Sequence, residues 1–422
     1  MADIKHDILS GKYDAAFSKM YRDSAAARER YSTAVDSFEA IYGKRDGLRL
    51  FSAPGRTEVG GNHTDHQHGC VLAGSVDLDV IAVVAPTSDG SVRVKSEGYD
   101  EDSFNISDLD PKKTEYGMAL ALIRGMCGEF KKDGYSIGGF VAYTTSNVLK
   151  GSGLSSSAAF EVLIGNILSG LYNSGSVDPV EIAKIAQRAE NIYFGKPCGL
   201  MDQMASSVGG FTGIDFLDPQ KPVIDKVVFD LAAHGHSLVI VNTGGNHADL
   251  TGDYADITIE CRRVSEYFGK QFLRDVSEDE FYSDLASVRK AAGDRAVLRA
   301  IHFFAENKRA IAEKKALTED RFADFLAICK ESGRSSFEYL QNVYSPSNPK
   351  EQGLSLALAV AERTLGDRGA YRVHGGGFAG TIQAFVPDDL LEKYLTSMRS
   401  VFGNDSCYVL NIRPVGGTEV KA

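Results

Sequence analysis

Tyr31, Val35, Phe38 and Tyr42 recur at spacings of four, three and four residues, which puts them on one face of a helix ending at Gly43. Residues 48–53 follow as a strand, and 76–85 and 91–96 flank Ser88-Asp89-Gly90, a turn signal that predicts a hairpin. Helical periodicity then covers 115–130, a β-branched alternating stretch covers 137–145, and helices are expected over 155–172 and 179–193. Asp, Pro and Lys interrupt the apolar pieces over 215–228, a natural crossing point between lobes. Beyond it come a strand at 237–242, helices over 248–268 and much of 279–332, and strands within 371–386 and 407–414 around a helix at 388–402. Strands and helices mix without a βαβ rhythm, so the pattern predicts an α+β chain of two lobes. The expected organisation is a helical extension over 1–45 packed on a first lobe, 46–220, followed by a second lobe, 221–422.

Composition narrows the class. A chain of 422 residues with 43% hydrophobic and 24% charged positions encodes compact domains rather than disorder. Its 46 basic and 57 acidic residues give a net charge of −11, which argues against a nucleic-acid partner. Apolar runs fall short of the roughly 18 residues a membrane span needs. Six scattered cysteines form no C-x-x-C pair, which fits reduced thiols and a cytoplasmic protein without disulfides or a zinc knuckle. Monomer is the expected state, with small molecules as partners.

Glycine is in surplus, 43 residues, and three glycine-bearing segments carry the candidate chemistry. The first, 54–69, crowds Arg56, Glu58, Asn62, His63, Asp65, His66 and His68 between two strand-like stretches; it is either a polar loop or a ligand site. Its histidines also admit a metal site, but no cysteine or distant ligand pair supports one. The second, Gly151-Ser152-Gly153-Leu154-Ser155-Ser156-Ser157-Ala158, follows a strand and opens a helix. Glycines let the backbone approach a phosphate, the first-turn N–H groups point at it, and serine hydroxyls suit phosphate oxygens or Mg2+; the plainer alternative is a serine cap. No Gly-Lys pair is followed by Ser or Thr, which excludes a Walker loop, and neither H-R-D nor D-F-G occurs. The third, 375–380, matches G-x-G-x-x-G but precedes a strand, and so suits a close-packed turn at a cleft better than a dinucleotide fingerprint.

Together these segments resemble the GHMP small-molecule kinases, and within them the galactokinases. Gly55-Arg56 through Gly61-Asn62-His63-Thr64-Asp65 is similar to the sugar signature, 151–158 to the phosphate loop and 375–380 to the third motif, all in the family's order. Cys198-Gly199-Leu200-Met201-Asp202-Gln203 is similar to the segment that carries the catalytic aspartate, with Glu190 twelve residues earlier. The likeness spans 48–414. It implies a two-lobed fold with a ribosomal-protein-S5-like N-lobe, an α+β C-lobe and the active site between them. It also implies an ATP-dependent sugar 1-kinase in which Asp202 is the base and Arg56 its electrostatic partner. Asn62, His63, Asp65, Gly199 and Tyr254 would bind the sugar. Gly151, Gly153, Leu154, Ser155, Ser156, Ser157, Gly376 and Gly377 would hold ATP, and Ser157 and Glu190 would ligate Mg2+.

The chain departs from the family's pattern in four places. Asn62 replaces a glutamate that bonds the sugar near C6, His66 replaces a tyrosine, Glu58 stands where asparagine is usual, and 147–150 lacks a proline. The exchange at Asn62 leaves open a C6-variant sugar such as galacturonate or arabinose beside galactose. A non-catalytic sugar sensor on the same scaffold is the rival from another class, and Ser157-Ala158-Ala159 together with Asp202 and Arg56 argues against it.

Overall fold

The computed structural model describes residues 4–148, 153–245 and 250–422. Seven strands come first: β1 (Arg49–Gly60), β2 (Cys70–Pro86), β3 (Ser91–Ser96), β4 (Glu101–Asn105), β5 (Phe140–Ser146), β6 (Phe211–Asp215) and β7 (Val223–Val227). Five follow: β8 (His236–Asn242), β9 (Ala370–Val373), β10 (Thr381–Pro387), β11 (Cys407–Leu410) and β12 (Thr418–Val420). The larger sheet runs β12-β1-β2-β5-β3-β4, with β6 and β7 continuing from the far half of β2; the smaller runs β11-β8-β10-β9 and is antiparallel throughout.

The alternation along β2 explains the layers. Val80, Ala82 and Val84 point into the main core, where Val162, Leu163 and Ile167 of the helix Ser156–Tyr172 meet them. Ile81, Val83 and Ala85 point the other way, onto Phe17, Tyr31, Val35 and Phe38. With a side-chain period of two, a strand covered on both faces is apolar at every position, as 80–85 is. The second cover is the N-terminal helical segment. Its longest helix, Ser24–Tyr42, starts where Asp23 accepts hydrogen bonds from the Ala25 and Ala26 amides (2.8 and 3.1 Å), and it stops at Gly43, whose φ of 74° favours glycine.

Two expectations need correction. The hairpin across 88–90 does not form, because β5 inserts between β2 and β3, antiparallel to one and parallel to the other. Its run Phe140–Tyr143 is buried throughout and therefore needs a central position, whereas the turn keeps its local bonds, from the Ser91 amide and hydroxyl to Asp89 and from the Thr87 hydroxyl to the Ser91 carbonyl. Nor does the first lobe end at 220. β7 pairs with β6, and β12 returns from the C-terminus to pair with β1. The lobes also share one core, since Leu238, Ile240 and Phe385 of the smaller sheet join the same apolar cluster as the larger one through Phe322, Phe325 and Ala316. Among the described residues, no helix is long and apolar enough to cross a membrane, and all six cysteines are free.

Candidate active site

A cavity of about 210 Å3 opens where β1, the turn after it, the start of the helix Met201–Val208 and the loop between β9 and β10 converge. Arg56, Glu58, His63, Asp65, Gly199, Asp202 and Gly376 are on its wall. Arg56 comes from β1 at a register break with β2 between Pro54 and Arg56, the kind of irregularity that re-aims a side chain. A Cβ on Gly55 would meet the Leu154 carbonyl at 2.9 Å, so glycine lets the segment before Ser156–Tyr172 lie directly on β1, where the Arg56 amide donates to that same carbonyl (3.0 Å). Leu154 itself is buried and acts through its backbone.

Asp202 stands in the first turn of its helix. Its Oδ1 accepts from Nε of Arg56 at 2.6 Å and its Oδ2 from the Ser155 hydroxyl at 2.6 Å; Arg56 also donates to the Gly153 carbonyl. Burial alone would raise the Asp202 pKa, but the Arg56 charge and hydrogen bond, the Ser155 bond and Lys196 outweigh it and hold the carboxyl below its ordinary 3.8. The group is therefore ionised throughout the neutral range. Both Arg56 and Asp202, which the sequence assigns to catalysis, thus meet in one ion pair on the cavity wall.

His63 and Asp65 line the same space. Burial, aided by His66, pushes the His63 ring down to about 4, so it is neutral near pH 7. Its Nε2 lies 2.9 Å from the Gly376 carbonyl, which can only accept; Nε2 therefore carries the proton and Nδ1 is left as an acceptor. Gly199 lies so close to Asp65 that a Cβ would meet Oδ2 at 2.7 Å, so glycine there brings the backbone up to the carboxylate. The histidines do not form a metal cluster: His68 stacks on Phe272 at 3.6 Å, and among the described residues no group of three His, Cys, Asp or Glu side chains could hold an ion.

Asn62 is elsewhere. Its side chain is fully buried, with Nδ2 donating to Glu58 Oε1 (2.8 Å) and the Gly375 carbonyl (2.7 Å) and Oδ1 accepting from Asn342 (2.8 Å). Every polar atom of the amide is consumed inside the protein, so the expectation that Asn62 faces the sugar fails, and Glu58 lines the cavity instead. Tyr254 is also set back from the wall. Its hydroxyl donates to the Gly377 carbonyl (2.9 Å) and its ring packs under Gly376, which makes it a support for that loop. Gly376 belongs to the cavity of Asp202, and Gly377 is packed against Asn342.

A second cavity, about 820 Å3, is lined by Ser156, Ser157 and Phe160 from the helix start, with Tyr99, Met118, Leu122, Asn147 and Phe194. That volume is in the range of nucleotide and cofactor sites. Ser155 caps the helix with a φ of 54°, and the free amides of the first turn favour an anion there. Of the phosphate-loop residues, Gly151 lies outside the described residues; Ser156 and Ser157 line this cavity, and Gly153 and Ser155 bond the Arg56–Asp202 pair. The Ser157 hydroxyl is 3.4 Å from Glu190 Oε1, so the two expected metal ligands do come together, although they are 33 residues apart in sequence. Gln203 Nε2 bridges Glu190 (2.8 Å) and Glu161 (3.1 Å), while Glu161 Oε1 and Gln203 Oε1 are buried without a partner. A hydroxyl, a carboxylate and two orphaned oxygens fit a hard cation that keeps its waters.

Comparison with known proteins gives the family. The "galactokinase galactose-binding signature" matches residues 36–86 and the "GHMP kinases N terminal domain" matches 119–210. The galactokinase of Actinobacillus pleuropneumoniae serotype 5b is 30% identical over 368 residues, 85% of this chain and 90% of that protein. The chain belongs to the galactokinase family. The Streptomyces coelicolor galactokinase is 31% identical over 84% of this chain and 88% of its own. The fold matches the crystal structure of Lactococcus lactis galactokinase complexed with galactose with a TM-score of 0.77, at 24% identity, covering 92% of this chain and 99% of that one. As a galactokinase-family member it has the GHMP kinase fold, and the signature match covers the strand and turn that supply Arg56, His63 and Asp65. Sequence reasoning missed Glu58 as a wall residue and missed the larger cavity altogether. The first had a signal, a carboxylate four residues before Asn62; the second is assembled from side chains spread over 80–194 and has no local one.

Proposed function

We propose that the protein is an ATP-dependent sugar 1-kinase that phosphorylates galactose at O1. The observation that carries this is the position of the Arg56–Asp202 pair: it lies on the wall of the small cavity, beside Ser155, and a short step along the same loop from Ser157 and the larger cavity. The sugar occupies the small cavity, where His63 Nδ1 and Asp65 Oδ2 accept from its hydroxyls. The nucleotide occupies the large one, with its phosphates at the start of the helix Ser156–Tyr172.

Asp202 receives the proton of the anomeric hydroxyl as that oxygen bonds to the γ-phosphorus and the bridging oxygen leaves with ADP. Its low pKa suits a late transfer, because the hydroxyl acidifies only as the new bond forms. Arg56 keeps the carboxylate ionised and in place, and its charge offsets that of the transferring phosphoryl group. Ser157 and Glu190 hold Mg2+, which neutralises triphosphate charge when bound. Galacturonate is disfavoured, since three carboxylates, Glu58, Asp65 and Asp202, line the small cavity against one guanidinium. The test is an ADP-release assay with ATP and Mg2+ on galactose, arabinose and galacturonate. Galactose is expected to give the highest kcat/KM; a preference for galacturonate, or turnover on none of them, contradicts the proposal.

A further inference from the structure

Glu58 lines the smaller cavity and takes no part in the phosphoryl transfer described above. It stands on β1 beside a second register break, between Glu58 and Gly60, and is only 5% exposed. Two donors hold its Oε1: Nδ2 of Asn62 at 2.8 Å and Nη2 of Arg372 at 2.9 Å. Both are themselves fixed. Arg372 is fully buried and donates to the Val59 carbonyl as well, and Asn62 is tied to Gly375 and Asn342. Glu58 Oε2, by contrast, accepts from no described residue. A buried carboxylate thus has one oxygen anchored and the other bare, on the wall of a cavity.

We infer that Glu58 is a specificity-determining residue: its Oε2 accepts a hydrogen bond from one hydroxyl of the bound sugar, and its charge turns away anionic sugars. This rests on the sugar-kinase reading of the same cavity. An acceptor that faces a cavity is closed off from water once a ligand fills the space and then needs a donor, which a neutral polyol supplies. A ligand carboxylate at the same spot would set acceptor against acceptor and charge against like charge. The anchoring by Asn62 and Arg372 sets the direction of Oε2, which is what lets one carboxylate select among hydroxyls on a ring. Asn62 thereby acts on the sugar through Glu58 rather than by touching it.

The test uses Glu58→Gln. Asn62 and Arg372 both donate to position 58, so the amide oxygen takes the anchored place and the amide NH2 faces the cavity, turning an acceptor into a donor. Galactose and its monodeoxy analogues are titrated calorimetrically into the wild type and E58Q, with nucleotide affinity and melting temperature as controls on the fold. In the wild type, one deoxy position is expected to lose about tenfold or more in affinity, as for a charge-assisted bond. E58Q is expected to bind galactose about tenfold more weakly and no longer to distinguish that deoxy sugar from galactose. A purely structural role would weaken every analogue by the same factor and keep the deoxy profile; that result, or an unchanged galactose affinity, overturns the inference. Should E58Q fail to fold, Glu58→Asp keeps the charge for Arg372, withdraws Oε2 by one methylene and is judged by the same outcomes. Wild-type protein that binds no galactose contradicts the sugar-kinase reading itself, whereas binding with a profile independent of position 58 contradicts this inference alone.

Discussion

Asp79 and Asp202 are built from the same chemistry and put to different uses. Asp79 accepts from Arg30 (2.5 Å), Arg413 (2.9 Å) and the Ser52 and Tyr21 hydroxyls; Asp202 accepts from one arginine and one serine. In both, burial raises the pKa and arginine charge more than reverses it, leaving each carboxyl below its ordinary value. The difference is enclosure: the Asp79 side chain is 0% exposed, that of Asp202 31%. Asp79 has two guanidiniums, no opening and no spare acceptor, and it ties the N-terminal helices (Tyr21, Arg30) and the C-terminal segment (Arg413) to β1 and β2. Asp202 has fewer partners and a face on the cavity. A perturbed carboxylate therefore identifies an ion-pair network, and only its opening to a cavity distinguishes chemistry from architecture.

The contrast can be broken most sharply at Asp202. Asp202→Asn is expected to lower kcat by roughly 10²-fold or more, with sugar and ATP affinities and melting temperature close to wild type, as titration calorimetry and thermal unfolding would reveal. Asp79→Asn reverses the pattern. It strands two guanidiniums, one of them fully buried, and should cost about 3 kcal/mol in chemical denaturation while kcat per folded molecule is unchanged. Wild-type kcat in D202N, or lost turnover at full stability in D79N, would erase the distinction.

A third acid sharpens it by titrating the other way. Burial and the Glu306 charge push Glu313 up to about 8, against 4.5 when unfolded, so the folded state holds a proton that the unfolded state releases. Its contribution to stability is complete below pH 4.5 and is lost as pH rises through 8. Glu313→Gln should therefore flatten the stability profile, gaining on the order of 2 kcal/mol over wild type at pH 9 relative to pH 5, measured by urea unfolding. Equal slopes for both proteins would show Glu313 to be ionised in the fold. The smallest effect is expected at the proposed metal ligands. Ser157→Ala and Glu190→Gln should each raise the Mg2+ concentration for half-maximal rate by about threefold to tenfold, since Mg2+ keeps its waters and its phosphate ligands. Unchanged Mg2+ dependence in both would leave Ser157 as part of an ordinary helix start.

What was legible in the sequence follows the range of the forces. The helix Ser24–Tyr42 is written in a local period with a cap at each end, and Asp202, Arg56 and the Ser157–Glu190 pair lie in compact motifs whose glycines announce close backbone approach. Strand order was not legible: the turn at 88–90 is a good local signal, and the insertion of β5 between its arms depends on pairing with residues 48 or more positions away. The exchange of roles between Asn62 and Glu58 is of the same kind. Which of the two faces the cavity depends on a bulge in β1 and on Arg372, 314 residues from Glu58, and no motif records either. Asp79 drew no notice because an aspartate in a mostly apolar strand carries no signature; its meaning comes from Arg30 and Arg413, which the fold brings from opposite ends of the chain.

The central claim, that the carboxylate open to the cavity directs a phosphoryl group to the anomeric oxygen, is tested most directly by the product. Wild-type protein and D202N would be incubated with ATP, Mg2+ and galactose, and the sugar phosphate resolved by phosphorus and proton NMR. The account expects the wild type to yield a single sugar phosphate whose phosphorus couples to the anomeric proton, and D202N to yield at most a hundredth as much in the same time. Phosphate on any other hydroxyl, or an equal yield from D202N, would contradict it.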